Sequence, residues 1–339
     1  MKVLVTGATG FVAKWCVGTL LKAGYHVRGT VRSLDRSEEV KAAVRAQGAD
    51  PKALELVEAD LMADAGWATA MRGCRFVQHV ASPFPLKPPR DPETLIRPAK
   101  EGTLRVLRHA DTAGVERVVL TSSTVAILYP AVGPQSRTYD ETDWTDPARP
   151  DLSAYTVSKT MAEQAAWAFV EGLGRRSSLA VVNPGLVLGP ALDGDLAASH
   201  HMLRIMADGA YPAVPSVGYP IADARDVAEA HLHAMTLPGA GGERFIAAEG
   251  YLSMMDLAHL LKQECPHLGW RLPWFVMHDG FVKAYSLLDR RLTPVLPDLD
   301  LVRRTKNDKA RRLLGLAFRS AEEAAVSAIR SLKALGLIR

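Results

Sequence analysis

Apolar residues in the first half of the chain fall into short runs, separated by longer stretches of helical periodicity. The runs "KVLVTG" (2–7), "HVRGTVR" (26–32), "ALELVEAD" (53–60), "RFVQHVAS" (75–82), "RVVLTSS" (117–123) and "LAVVNPG" (179–185) are rich in Val and Leu. They alternate little between apolar and polar, the pattern of strands covered on both faces of a parallel sheet. Helices are predicted near 11–23, 36–47, 64–72, 92–113 and 154–172. This β-α alternation predicts a doubly wound α/β sheet with a parallel strand order. Right-handed crossovers then bring all the strand C-terminal ends to one edge, where ligands bind.

After Pro184 the pattern changes. Residues 186–220 are rich in Gly, Pro and Ala and predict loops with a helix near 197–208. "ADARDVAEAHLHAM" (222–235) predicts an amphipathic helix and "GERFIAA" (242–248) one more strand of the sheet. From 249 onwards the chain is predicted helical with Pro-rich breaks. Ser320 and Glu323 open its last helix with the spacing of a capping box. The expected division is a sheet domain of residues 1–185 plus about 221–248, and a smaller, mostly helical part. That part comprises about 186–220 plus 249–339 and lies over the ligand edge.

Composition narrows the class of protein. The 339 residues, 48% hydrophobic and 23% charged, match an ordinary soluble globular chain. The net charge of +4 is modest, and the pairs Arg290-Arg291, Arg303-Arg304 and Arg311-Arg312 have no clustered aromatics beside them. They read as solvated faces, which predicts no nucleic-acid partner. Cys16, Cys74 and Cys265 are far apart, and His200, His201, His231 and His233 lack the companions of a metal site. Neither a disulfide framework nor a bound metal is expected. "MKVLVTG" carries no apolar h-region, and no window reaches about 18 apolar residues. A reduced, cytoplasmic protein off the membrane is the expectation.

Chemistry enters at the first turn. "TGATGFVA" puts Gly7, Gly10 and Ala13 three apart, after a strand and before a helix, with Thr9, Phe11 and Val12 between and beside them. Gly7 permits the tight turn, Gly10 lets a pyrophosphate approach the backbone, and Ala13 keeps helix and sheet close. The helix N-terminus supplies N–H groups to the phosphates. This predicts a Rossmann dinucleotide-binding domain. Strand 2 ends with Arg32 and Ser33, with Arg36 nearby, where a carboxylate would select NAD. A guanidinium suits a 2′-phosphate, so NADP(H) is the expected cofactor. Asp60 and Leu61, past strand 3, sit where the adenine should lie. Asp60 either accepts from the adenine amine or caps the following helix, and the two readings are compatible.

"SAYTVSKTMA" (153–162) places Tyr155 and Lys159 four apart on one helix face. Reduction of a carbonyl needs hydride at carbon and a proton at oxygen. A phenol ionises near pH 10, and an adjacent ammonium favours its phenolate form. A serine from "TSS" (121–123) on the same edge stabilises the developing alkoxide.

With these residues in view, the chain resembles the extended short-chain dehydrogenase/reductases, and within them the dihydroflavonol 4-reductase group of NADPH-dependent carbonyl reductases. The resemblance runs through "VTGATGFVA" (5–13), "TVR" (30–32), "ADL" (59–61), "HVASPF" (79–84), "EGTLRVL" (101–107) and "VVLTSS" (118–123). It continues through "YTVSKTMAEQAAWAF" (155–169), "VVNPGLVLGP" (181–190), "DARDVAEAHLHAM" (223–235) and "GERFIAAEG" (242–250). It implies that Tyr155 gives the proton, that Lys159 lowers its pKa and holds the nicotinamide ribose, and that Ser123, rather than Ser122, orients the substrate. It implies further that Arg32 binds the 2′-phosphate and that Val80, Ala81 and Ser82 run along the cofactor. Pro184, Gly185, Leu186 and Val187 are implied to pack on the nicotinamide, with Ser199 a further contact.

One departure stands out. Plant flavonoid reductases carry a polar Asn shortly after the serine pair, where this chain has Ala126, Ile127 and Leu128. An apolar substrate readout is therefore expected, with Phe84, Leu192, Met202 and Tyr211 as pocket walls. The function expected is NADPH-dependent reduction of small aldehydes and ketones, reversible as alcohol oxidation, by a monomer or homodimer. A hydroxysteroid dehydrogenase, a nucleotide-sugar epimerase or dehydratase, and a non-enzymatic NADP(H) sensor are the alternatives.

Overall fold

The valine- and leucine-rich runs form one parallel sheet in the computed structural model, which describes residues 1–83, 89 and 91–338. Its strands are β1 (Lys2–Val5), β2 (His26–Val31), β3 (Leu54–Glu58), β4 (Phe76–His79), β5 (Arg117–Thr121), β6 (Leu179–Pro184) and β7 (Arg244–Ala247). Their order is β7-β6-β5-β4-β1-β2-β3. The chain winds outward from β1 to β3, then returns to β4 on the other side of β1. The strand order therefore reverses between β1 and β4, which opens a crevice at their C-terminal ends.

Period-two alternation fills both faces of the sheet. Val3 and Val5 face one core with Val119, Ala180 and Val182, under the helices Phe11–Lys22 and Ala224–Thr236. Leu4, Val118, Leu120, Leu179 and Val181 face the other, under Glu93–Thr112 and Ala154–Gly172. Both faces being apolar explains why the sequence runs show no polar alternation.

The smaller part has its own core. Leu203, Leu257, Leu261, Ala325, Ile329 and Leu332 join the helices Ala198–Ala207, Met254–Glu264 and Ala321–Ala334. These pack on a three-stranded sheet of Leu186–Leu188, Gly218–Asp223 and Tyr251–Ser253. Gly218–Asp223 thus belongs to this second sheet, while the helix that follows returns to the first core.

One cap differs from expectation, and a second carried none. Ser320 Oγ accepts from the Glu323 N–H at 3.1 Å, but the Glu323 carboxylate turns to Arg225 and Arg319, each at 3.5 Å. A stronger ionic partner has replaced the return half of that capping box. The reciprocal box forms instead at Ser253 and Asp256. No helix among the described residues is long and apolar enough to cross a membrane.

Candidate active site

Gly7, just past β1, has φ +66°, and a Cβ there would lie 2.9 Å from the Cβ of Ala81. Only glycine fits both conditions. Its N–H donates to Thr30 Oγ1 at 3.0 Å, tying the loop to β2. Gly10 is the N-cap of Phe11–Lys22, and no side chain caps that helix. The first helical N–H groups are thus left for an anion. A Cβ on Gly10 would meet only the Gly7 carbonyl, at 3.3 Å, so the fold itself leaves room for a side chain there. Close approach of a ligand is the remaining reason for glycine. Val12 packs on the first core, and the Phe11 ring meets His200 edge-on at 4.6 Å.

A cleft of about 790 Å³ opens beside this loop. Gly7, Thr9, Arg32, Asp60, Leu61 and Ser82 are on its walls. Asp60 accepts from the Met62 N–H at 2.8 Å, so it caps a turn and faces the cleft at once. Arg32 is exposed and makes no hydrogen bond or ion pair with a described residue. Arg36 is committed: Glu39 grips it through two 2.8 Å contacts, and Asp195 binds its other face. Among the described residues, Arg32 is thus the guanidinium on the cleft wall without a partner. Uncapped helix, open cleft and unpaired cation fit a phosphorylated dinucleotide.

The loop after β4 is shaped by Thr6. Its Oγ1 accepts from the N–H groups of Val80 and Ala81, each at 3.0 Å, and lies 2.9 Å from His79 Nδ1. With both lone pairs taken, the hydroxyl proton points to the ring nitrogen. His79 is therefore neutral, and burial pushes it down to about 3.

The candidate catalytic edge lies at the ends of β5 and β6. Ser153 Oγ accepts from the Thr156 N–H at 3.1 Å and starts the helix Ala154–Gly172, a cap worth about 1 kcal/mol. Tyr155 and Lys159 stand in its first two turns. The Tyr155 hydroxyl is hydrogen-bonded to the Ser123 side chain, while Ser123 Oγ also lies 3.4 Å from the Pro184 carbonyl. Lys159 Nζ donates to the Thr121 carbonyl at 3.1 Å. Burial brings that ammonium down to about 8, with Glu163 pulling the other way. Burial pushes the Tyr155 phenol up to about 12, and only the Ser123 hydrogen bond opposes it. The lowered phenol expected from the Tyr-Lys spacing is therefore not what the chain alone produces: desolvation outweighs the Ser123 hydrogen bond.

Gly185 follows β6, where a Cβ would lie 2.2 Å from the Pro220 carbonyl, so the two sheets meet only through a glycine. Leu186 and Val187 then pair with Ile221 and Ala222. Ser199 donates to the Val187 carbonyl and fixes this strand to the helix Ala198–Ala207.

The substrate candidates scatter. Met202 packs on the second core, the Tyr211 hydroxyl reaches Asp289 at 3.4 Å, and Leu192 lies beside Asp193 in a strap that binds Lys14. Phe84 lies outside the described residues. Ile127 and Leu128 are buried with Tyr139 and Ile246, so this apolar run is used in packing and does not read a substrate directly.

Residues 3–248 match the NAD dependent epimerase/dehydratase family. The chain belongs to that family. It is 36% identical to cinnamoyl-CoA reductase 1 of Petunia hybrida, over 86% of this chain and 85% of that one. It is 33% identical to the ketoreductase azaE of Aspergillus niger, over 98% and 97%. Its fold superposes on the yeast methylglyoxal/isovaleraldehyde reductase Gre2, solved with NADPH, with a TM-score of 0.77 at 28% identity over the full length of both chains.

Several residues around this family's site carried no expectation in the sequence. Thr6 shapes the loop along the cleft. Lys14, buried, is clamped between Glu39 at 2.5 Å and Asp193 at 2.6 Å, which ties the 190–195 strap to the first helix. Glu163 lies one turn beyond Lys159, and that second four-residue step was the signal available. Thr6 and Lys14 had none, because their partners are distant in sequence.

Proposed function

We propose that this chain is an NADPH-dependent reductase of aldehydes and ketones that also runs in reverse as an alcohol dehydrogenase. The observation that carries this reading is the Tyr155 hydroxyl hydrogen-bonded to Ser123 at the C-terminal strand edge that also carries the glycine loop, with Lys159 one helical turn away. The reductase names of its full-length relatives and the NADPH held by Gre2 support it.

The glycine loop and the open helix N-terminus would hold the pyrophosphate, Arg32 the 2′-phosphate, and Pro184 to Val187 the nicotinamide side. Bound there, NADPH supplies the hydride that reaches the carbonyl carbon. Ser123 and Tyr155 bind the carbonyl oxygen between two hydroxyls. A phenol pushed up to about 12 keeps its proton at neutral pH, which suits a donor that releases it only as alkoxide character develops. The Lys159 ammonium, anchored on the Thr121 carbonyl, stabilises the phenolate that remains.

The test is NADPH consumption over a graded panel of simple aldehydes and of aryl and alkyl ketones, with nucleotide sugars as the comparison. Oxidation of NADPH with carbonyls and none with nucleotide sugars is expected. Turnover of a nucleotide sugar on tightly held NAD, with every carbonyl inert, would replace this reading with an epimerase.

A further inference from the structure

Behind the catalytic serine and lysine lies a carboxylate that the reaction does not touch. Glu163 is fully buried, one helical turn past Lys159. Ser122 Oγ donates to its Oε2 at 2.6 Å, and Asn183 Nδ2 donates to the same oxygen at 2.9 Å. Arg244 Nε donates to Oε1 at 2.6 Å, with Trp167 Nε1 at 3.3 Å. The carboxylate thus joins the catalytic helix to the ends of β5 and β6 and to β7.

Its partners lead to the reacting groups. Asn183 Nδ2 also donates to the Ser123 carbonyl at 3.2 Å, so one amide spans Glu163 and the backbone of the catalytic serine. Ser122 is the adjacent residue, and its bond to Glu163 fixes the peptide that orients Ser123. Arg244 is itself held from behind by the carbonyls of Glu141 at 2.9 Å and Asp143 at 2.8 Å, and lies 3.7 Å over the Trp144 ring. It cannot swing away without leaving those acceptors unpaired.

We propose that Glu163 is a positioning residue for the carbonyl reduction: its carboxylate orients Ser123 through Ser122 and Asn183, and sets a fixed negative charge behind Lys159. This rests on the reductase reading. A buried ion pair of this kind is costly to assemble and is not required to fill a core. Two of its partners, the adjacent Ser122 and Asn183, hold the backbone of Ser123, which gives the carboxylate a use beyond packing.

The other titratable groups around Lys159 and Glu163 are Tyr155 on the same helix, His79 at the end of β4, Arg244 on β7 and Glu141 before the catalytic helix, while His231 on Ala224–Thr236 meets the Thr121 hydroxyl from the other face of the sheet. Burial keeps His79 and His231 uncharged. Glu141 turns its carboxylate to the Ile246 N–H at 3.0 Å. Glu163 is the carboxylate that raises the Lys159 ammonium against desolvation.

The experiment compares Glu163→Gln, Glu163→Asp and the pair Glu163→Gln/Arg244→Met with the unaltered chain. The pH profile of NADP-linked alcohol oxidation is one readout, and titration of the Lys159 side-chain carbon shift by NMR, on the chain without cofactor, is the other. Glu163→Gln is expected to lower kcat at least tenfold, to move the onset of oxidation to higher pH, and to lower the Lys159 titration midpoint. Glu163→Asp keeps the charge but shortens the reach, so kcat should stay low while the profile and the midpoint return. The paired variant leaves no unpartnered arginine and should repeat both shifts if Glu163→Gln does not fold. A fall in kcat with profile and midpoint unmoved in Glu163→Gln or the paired variant overturns the proposal and leaves a structural role. An unaltered chain that oxidises no alcohol would count against the reductase reading alone, since the NMR midpoint still reports on Glu163.

Discussion

Ser122 and Ser123 are neighbours in the chain and serve opposite sides of the strand end. Ser122 Oγ donates 2.6 Å into the buried carboxylate of Glu163, while Ser123 shares a hydrogen bond with the Tyr155 hydroxyl. One pleat of an extended backbone separates a structural hydroxyl from the one proposed to meet the carbonyl oxygen. Ser123→Ala should therefore lower kcat on the order of 100-fold with stability little changed. Ser122→Ala should do the reverse: a clearly smaller kinetic loss, with stability falling about 1–3 kcal/mol because the buried Glu163 carboxylate loses a charge-assisted donor and keeps Asn183 on that oxygen. Steady-state kinetics and urea unfolding of both variants check this. Equal kinetic losses would mean that the assignment of roles is wrong.

Arg32 and Arg36 are separated by their partners. Arg36 already binds Glu39 and Asp195, whereas Arg32 stands exposed on the cleft wall. Arg32→Ala should weaken NADPH binding on the order of 10- to 100-fold, the value of charge-assisted hydrogen bonds to one phosphate. NADH binding should hardly change. Calorimetric titration with both dinucleotides is the check, and parallel losses would show that Arg32 does not meet the 2′-phosphate.

Much of the fold was legible because a sheet covered on both faces writes itself as unbroken apolar runs. The glycine loop was legible for a related reason: Gly7 answers to local geometry, a positive φ and a close approach to Ala81. The serine pair, Tyr155 and Lys159 could be placed at one edge from topology alone. What surrounds them could not. Glu163 meets Ser122, Asn183 and Arg244, which are far apart in sequence, and no periodicity links them. Ile127 and Leu128 misled for the converse reason, since apolar residues near a catalytic serine look alike whether they line a pocket or fill a core.

In the proposed mechanism, Lys159 is the residue through which pH reaches the site. Its ammonium is brought down to about 8 and its neighbour's phenol up to about 12, so the lysine loses charge before the tyrosine ionises unaided. Alcohol oxidation needs the phenolate as base, and the ammonium favours that form. Lys159→Ala removes the favourable charge and should move the onset of oxidation upward by about one pH unit or more, about 1.4 kcal/mol per unit. An onset at the original pH in that variant would separate Lys159 from the ionisation of Tyr155.

Stability has its own pH dependence, set by histidines. His79 and His231 are fully buried and held at about 3 and about 4, while in the unfolded chain each ionises near 6.5. His231 Nδ1 donates to the Val227 carbonyl at 2.7 Å, and Nε2 takes the Thr121 hydroxyl at 2.6 Å, so the ring has no site for a second proton. As pH falls below about 6.5 the unfolded chain binds protons the fold excludes, and stability drops until the folded rings titrate. His231→Gln should flatten the slope of unfolding free energy between pH 6 and 4 by about 1.4 kcal/mol per unit. Urea titrations across that range measure it, and an unchanged slope would mean the buried ring is not neutral.

The most direct measurement is made on Tyr155→Phe, which deletes one oxygen and leaves the ring. The predicted result is loss of NADPH-linked carbonyl turnover by at least about 100-fold, the contribution of a positioned proton donor, with NADPH affinity within about twofold of the unaltered chain. A variant that still reduces carbonyls at the original rate would contradict the account.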